Sequence, residues 1–263
     1  MSPVIINEGS SPIILAFPHG GTEVPANIWE NLNENGRKLA DTDWHIHRLY
    51  DGLLGAATTV QATFHRYVVD ANRDPAGGSL YPGQNTTGLC PETDFDGLPI
   101  WKDGFKIDQS EIEKRKDQFH SPYHRALSRQ IERVKNQHGI AVLYDCHSIR
   151  SKIPYLFDDV LPDFNMGTNS GTSCDPKFEQ SVVENCQAAE EYSSVLNGRF
   201  KGGWTTRHYA NPAQNIHAVQ MELALSAYAS ETHPWAYDIE LAEKLRKHLK
   251  VILSQLEDLA INN

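Results

Sequence analysis

No stretch of the sequence approaches the roughly 18 consecutive apolar residues of a membrane span. Its opening residues, 1–11, also lack the basic start and apolar run of a secretory signal, so a cytoplasmic location is expected. Positive charge is in deficit. Lys and Arg number 24 against 34 Asp and Glu, a formal net charge of -10, which argues against a general binder of nucleic acid or anionic membrane. Any acidic ligand must then be met by a local cluster of cations. Cysteine is scarce and scattered: Cys90, Cys146, Cys174 and Cys186 form no CxxC pair. Neither a zinc ribbon nor a disulfide framework is indicated, and free thiols are expected. A Gly-x-Ser-x-Gly elbow is missing, and Ser148 does not form a triad merely by standing beside His147, which sets a serine hydrolase aside.

What remains is ordinary for a globular chain, with 40% hydrophobic, 9% aromatic and 22% charged residues. A length of 263 residues fits one large core, so a single domain over 1–263 is the expectation. The Gly- and Pro-rich stretch 74–99, extending to about residue 107, reads as a long irregular excursion of the kind that often carries function. Residues 12–17 form a short apolar run leading into Pro18-His19-Gly20-Gly21, and 140–144 form a second leading into Asp145-Cys146-His147-Ser148. Both predict buried strands. A strand is also expected over the β-branched stretch 58–70 and over 217–221, and helices over 43–54, 178–191 and 235–256. Between 109 and 137, Ile112, Phe119, Tyr123, Leu127, Ile131 and Val134 recur at helical spacing, with a break expected near Pro122. Strands alternating with helices predict the α/β class.

His19 and His147 both follow apolar strands, where open α/β sheets place reactive groups. Two imidazoles with one carboxylate and an open position make a common catalytic zinc arrangement. Glu23, four residues after His19, and Asp43, at the start of the next helical pattern, are equal candidates for the carboxylate on spacing alone. His45, His65, His138 and His248 read as hydrogen-bonded or surface imidazoles. Asn72 and Arg73 follow a strand and pair an amide with a guanidinium, which suits bidentate capture of a carboxylate, with Arg66, Arg150 and Arg207 as further cations. Glu222 stands inside the apolar run Val219-Gln220-Met221-Glu222-Leu223, where burial should raise its pKa into the range of a general base.

In this order the pieces resemble the N-formylglutamate amidohydrolase family. The matching stretches are Pro18-His19-Gly20-Gly21-Thr22, Asp41-Thr42-Asp43-Trp44, Arg66-Tyr67-Val68-Val69-Asp70-Ala71-Asn72-Arg73, and Leu80-Tyr81-Pro82-Gly83 with Thr87-Gly88-Leu89-Cys90-Pro91. They continue through His147-Ser148-Ile149-Arg150-Ser151, Gly202-Gly203-Trp204-Thr205-Thr206-Arg207-His208-Tyr209 and Gln220-Met221-Glu222. That family is similar to the aspartoacylases and zinc carboxypeptidases. The resemblance implies a phosphorylase/hydrolase-like fold, a three-layer α/β/α arrangement around a mixed, mostly parallel sheet. It implies hydrolysis of N-formyl-L-glutamate in histidine degradation, with a divalent metal, zinc first, on His19 and His147. Asp43 is preferred to Glu23 as the acidic ligand because the family acid aligns with it. Glu222 would be the general base. Asn72 and Arg73 would hold one substrate carboxylate and Arg150 or Arg207 the other, while the loop through Tyr81 and Thr87 would line or cover the pocket. His47 departs from the family, which shows an acid there.

Overall fold

A computed structural model of the protein describes residues 2–78 and 83–262. Seven strands form one sheet: β1 (Val4–Asn7), β2 (Ile13–Phe17), β3 (Thr58–Ala62), β4 (Ala141–Ile149), β5 (Phe164–Gly167), β6 (Ser194–Leu196) and β7 (Ile216–Ala224), in the order β1-β3-β2-β4-β7-β5-β6. The central run from β3 through β2 and β4 to β7 is parallel. β1 is antiparallel to β3, and β5 is antiparallel to β7 while parallel to β6, so the sheet is mixed and mostly parallel. The helices are α1 (Ala26–Trp29), α2 (Ile46–Tyr50), α3 (Gln109–Arg115), α4 (Ser121–His138), α5 (Pro176–Ala188), α6 (Trp204–Tyr209) and α7 (Ile239–Ile261).

Period-two alternation sorts the central strands between two helix layers. Ile13, Leu15 and Phe17 of β2, Val142, Tyr144 and Cys146 of β4, and Val219, Met221 and Leu223 of β7 pack with α2, α5 and α7. Leu245, Leu249, Ile252, Leu253 and Leu256 of α7 supply its apolar stripe, and the Asp238 side chain caps that helix by accepting from the Leu241 amide. Ile14 and Ala16, Ala141 and Leu143, and Ala218 face the opposite layer, where Tyr123, Leu127, Ile131 and Val134 of α4 recur every three or four residues. Both faces are therefore covered, and β4 is buried along all nine residues. Truncating a residue such as Leu249 to Ala should cost about 2–5 kcal/mol.

Several elements differ in extent from the sequence expectation. The helix over 109–137 is one rod with a wide π turn at Lys116–His120 joining α3 to α4, placed just ahead of Pro122, which has no N–H to offer the ladder. Strand β3 ends at Ala62, not at residue 70, because its parallel partner β2 ends at Phe17, opposite Gln61, and leaves no ladder to continue. Only Ile46–Tyr50 of the 43–54 pattern is helical, since His45 takes a left-handed φ of 61° at one end and Gly52 a φ of 70° at the other. β4 runs on to Ile149, so His147 lies within the strand rather than past its end, and β7 continues beside it to pair Ile149 with Ala224. Among the described residues, 74–107 contains no helix or strand and only isolated bridges such as Thr93 with Pro99. No described helix is long and apolar enough to cross a membrane. All four cysteines are free.

Candidate active site

The second face of the sheet turns polar at the carboxyl ends of its central strands. On β4 the alternation that buries Ala141 and Leu143 continues as Asp145 and His147, and on β7 it continues from Ala218 as Gln220 and Glu222. The parallel register aligns Asp145 with Gln220 and His147 with Glu222. His19 comes from the turn after β2, and Asp43 is folded back to it, its amide donating to the His19 carbonyl at 3.1 Å. The Asp43 carboxylate is fixed in turn by the Ser148 amide, which donates to Oδ2 at 3.1 Å.

His19, Asp43 and His147, all buried, form the one group of His, Cys, Asp or Glu side chains among the described residues that could hold a metal ion, with donor atoms within 4.8 Å of one another. Asp43 Oδ2 lies 3.3 Å from His147 Nδ1 and 3.9 Å from His19 Nδ1. Both imidazoles thus turn Nδ1 inward. Their outer nitrogens meet carboxylates: His19 Nε2 is 2.7 Å from Asp70 Oδ1, and His147 Nε2 is 3.1 Å from Asp145 Oδ1. The Asp70 carboxylate behind His19 fixes the tautomer that leaves its Nδ1 as an electron-pair donor, the arrangement found around ligating histidines, whereas Asp145 faces His147 Nε2 at ion-pair distance without a hydrogen bond. The donor set therefore fits a divalent cation. Glu23 is not part of the group; its backbone pairs with Thr63 and His65 beside Phe64 instead.

The charges explain how each group is poised. Burial, helped by the Arg66 guanidinium, lowers the His19 pKa and keeps the ring neutral, as a ligand must be. Burial also opposes charge on His147, but Asp145, Asp43 and Glu222 outweigh it and raise its pKa well above the usual value. A cation at Nδ1 would take the place of that proton. Asp70 is pulled the other way: burial would raise it, yet Arg66, Arg73 and His19 hold it well below the ordinary range. Arg66 is buried and donates to Asp70 Oδ2 from both Nε and Nη2, at 3.3 and 2.8 Å. Glu222 is pushed up to about 8, chiefly by burial and then by Asp43 and Asp145 against the lowering pull of His147 and Arg66. Gln220 steadies it, donating from Nε2 to Glu222 Oε2 at 3.2 Å while its Oε1 accepts from the Gly203 amide at 2.6 Å.

These side chains line a cavity of about 550 Å³, its open mouth included. His19, His147, Glu222 and Arg66 contribute its buried part, and Asn72, Arg73, Thr87, Phe95, Arg199 and Phe200 are among its other walls. Asn72 Nδ2 is 3.2 Å from His147 Nε2, and Asn72 Oδ1 accepts from the Thr205 amide at the start of α6. Arg73 is braced against the excursion, donating to the Thr87 carbonyl at 2.8 Å and to Thr87 Oγ1 at 3.1 Å. Arg150 and Arg207 are not among the lining residues: Arg150 pairs with Asp96 at 2.9 Å, and Arg207 Nε donates to the Gly202 carbonyl at 2.8 Å. Tyr81 lies outside the described residues. His47 is exposed on α2, and His45 and His248 engage the Trp235 carbonyl and Glu191.

Sequence reasoning gave no role to Asp70, Asp145 or Arg199. For Asp145 a signal was available, because an acid two residues before His147 on one strand must share its face. Asp70 could have been inferred only from its place before Asn72 and Arg73. Arg199 is in a loop with no periodicity to mark it.

Comparison with known proteins finds relatives along nearly the whole chain. N-formylglutamate deformylase of Pseudomonas aeruginosa is 47% identical over 250 residues, covering 94% of this chain and 93% of that protein. The N-formylglutamate deformylase of Pseudomonas putida is 46% identical over 252 residues, covering 95% and 94%. The fold is shared with the crystal structure of N-formylglutamate amidohydrolase from Ralstonia eutropha JMP134, at a TM-score of 0.82 and 23% identity over 99% of this chain and 98% of that one. A gene product of Agrobacterium tumefaciens matches at a TM-score of 0.72 and 18% identity, over 98% and 97%. Residues 11–229, which include the inward-facing histidines, Asp43 and Glu222, match the profile of the N-formylglutamate amidohydrolases, and the chain belongs to that family.

Proposed function

We propose that this protein hydrolyses the formamide bond of N-formyl-L-glutamate, giving formate and L-glutamate, as one domain serving histidine degradation in the cytoplasm. The relatives named for that deformylation support the reaction, and the four free thiols suit a reducing compartment. The observation that carries the reading is the cavity itself, lined by both histidines of the buried His-Asp-His group, a carboxyl with a raised pKa and three arginines.

A divalent metal, zinc first, would be held by His19, Asp43 and His147, and would supply Lewis acidity toward the formyl oxygen and toward water. Asp70 keeps the His19 imidazole in the ligating tautomer, and the charge of Asp145 lies beside His147. Glu222 takes the proton of the attacking water and passes it to the departing amine nitrogen. Gln220 and the β4–β7 register hold that carboxyl opposite His147. Asn72, Arg73 and Thr87 bind and orient the substrate, converting a flexible diacid into one whose formyl carbon meets the attacking water.

The test is formate release from N-formyl-L-glutamate before and after chelation, with zinc, cobalt or manganese restored. Release that disappears on chelation and returns with metal is expected. Activity untouched by complete metal removal would refute the metal, and failure to release formate under every metal would refute the reaction.

A further inference from the structure

A glutamate derivative carries two carboxylates, and a chain of net charge -10 must meet each with a local cation. Arg73 is one cavity cation. The second is not Arg66, whose guanidinium is bound to Asp70, nor Arg150 or Arg207, neither of which lines the cavity, whereas Arg199 does. We infer that Arg199 is the specificity-determining residue that receives the distal, side-chain carboxylate of the substrate. This rests on the deformylase reading and deepens it.

Arg199 is built into place. Its Nε donates to the Leu156 carbonyl at 3.1 Å and its Nη2 to the Asn85 carbonyl at 2.9 Å, and the guanidinium lies 5.4 Å from the Phe200 ring centre. Such anchoring lowers the entropy lost when a long side chain grips a ligand. The same short segment fixes the other cation, because Arg73 donates to Thr86 Oγ1, Thr87 Oγ1 and the Thr87 carbonyl. Two arginines therefore bracket residues 85–87, and two residues of chain span at most about 7 Å. The two carboxyl carbons of glutamate are joined by four single bonds, on the order of 5 Å when extended. The two cations are thus anchored within a span comparable to that between the two anions.

Chain position assigns which takes which. Arg73 adjoins Asn72, whose amide touches His147, so it belongs to the metal-binding end of the cavity. The α-carboxylate is one carbon from the scissile amide nitrogen and falls to Arg73. The distal carboxylate is three carbons away and falls to Arg199, whose anchors are Asn85 and Leu156, with Leu156 and Phe200 offering apolar surface to the methylenes between.

The experiment compares kcat/KM for N-formyl-L-glutamate and N-formyl-L-glutamine, which differ only in the distal charge, in metal-loaded wild type, Arg199→Gln and Arg199→Lys. Loss of a hydrogen-bonded ion pair should lower the preference for the diacid about 100-fold in Arg199→Gln, with the change carried by KM. Arg199→Lys keeps the charge but not the fork, and should lower it about 10-fold; if the Gln variant does not fold, this variant decides the matter. Equal losses on both substrates, or a wild type without preference for the diacid, would overturn the role of Arg199 and leave deformylation standing. Wild type that releases formate from neither substrate would remove the parent reading and this inference together.

Discussion

Glu222→Gln separates catalysis from architecture in this site. The carboxamide keeps the size of the side chain, and Gln220 Nε2, now 3.2 Å from Glu222 Oε2, can still donate to its oxygen. Glu222 is not one of the three metal-donor residues, so metal stoichiometry should be unchanged. On the proposed mechanism the proton acceptor disappears, and removal of a positioned general base costs about 100- to 10,000-fold in kcat. The fall should therefore appear in kcat and in kcat/KM alike, with KM little altered. Because burial pushes Glu222 up to about 8 in the metal-free protein, a divalent cation among its neighbours would favour the ionised base, and the acidic limb of the wild-type pH profile should lie below that value. Single-turnover formate release across pH, with metal content measured on the same samples, is the assay. Turnover within a factor of a few of wild type would remove Glu222 from the mechanism, and a loss of activity that tracks a loss of metal would make it a structural acid.

Asp70→Asn should weaken metal binding about 10- to 100-fold by releasing the outer nitrogen of His19, and chelator competition would show it; unchanged affinity would refute the orienting role. Gly203→Ala would place a Cβ 2.2 Å from Asn72 Nδ2, so a stability loss of about 1–3 kcal/mol and a strong loss of turnover are expected from denaturant unfolding and formate release. Chelated protein should lose stability from about pH 7 to about pH 9. The folded state holds protons there that the unfolded chain has released, on Glu222, raised to about 8, and on His147, raised well above its usual range, whereas the share of Asp41, raised to about 7, is mostly lost before that window opens. The lowered histidines such as His19 act below that window, with the opposite sign. A melting temperature flat or rising over the interval in chelated protein would contradict these assignments.

The central strands were legible because a strand buried on both faces is written as an unbroken apolar run, and the polar residue that interrupts it is conspicuous. His19, His147 and Glu222, which the structure brings to one cavity, stand out in this way. Asp43 and Glu23 could not be separated by spacing, since the choice depends on how the chain after β2 doubles back, which the amide of Asp43 settles by reaching the His19 carbonyl. β1, β5 and β6 have three or four residues each and gain their structure from partners distant in sequence, so no local pattern announces them. α6, with six residues, is equally short, and it is defined as much by the Thr205 contact to Asn72 as by periodicity. Which arginines line the cavity was illegible for a related reason. Arg150 and Arg207 stand inside conspicuous motifs, whereas Arg199 reaches the cavity from an irregular loop.

The two-sided packing of β4 also limits how the chain can be edited. Its even-numbered residues serve one helix layer, while Asp145 and His147 serve the other face. Inserting or deleting one residue upstream of Asp145 within the strand would rotate every later side chain to the opposite face. His147 would enter the layer now filled by Cys146, and no single substitution could return it. Indels within this strand should be tolerated, if at all, in pairs, whereas the excursion at 74–107, which among its described residues has only isolated bridges, has no alternation to keep in phase away from the anchors at 85–87.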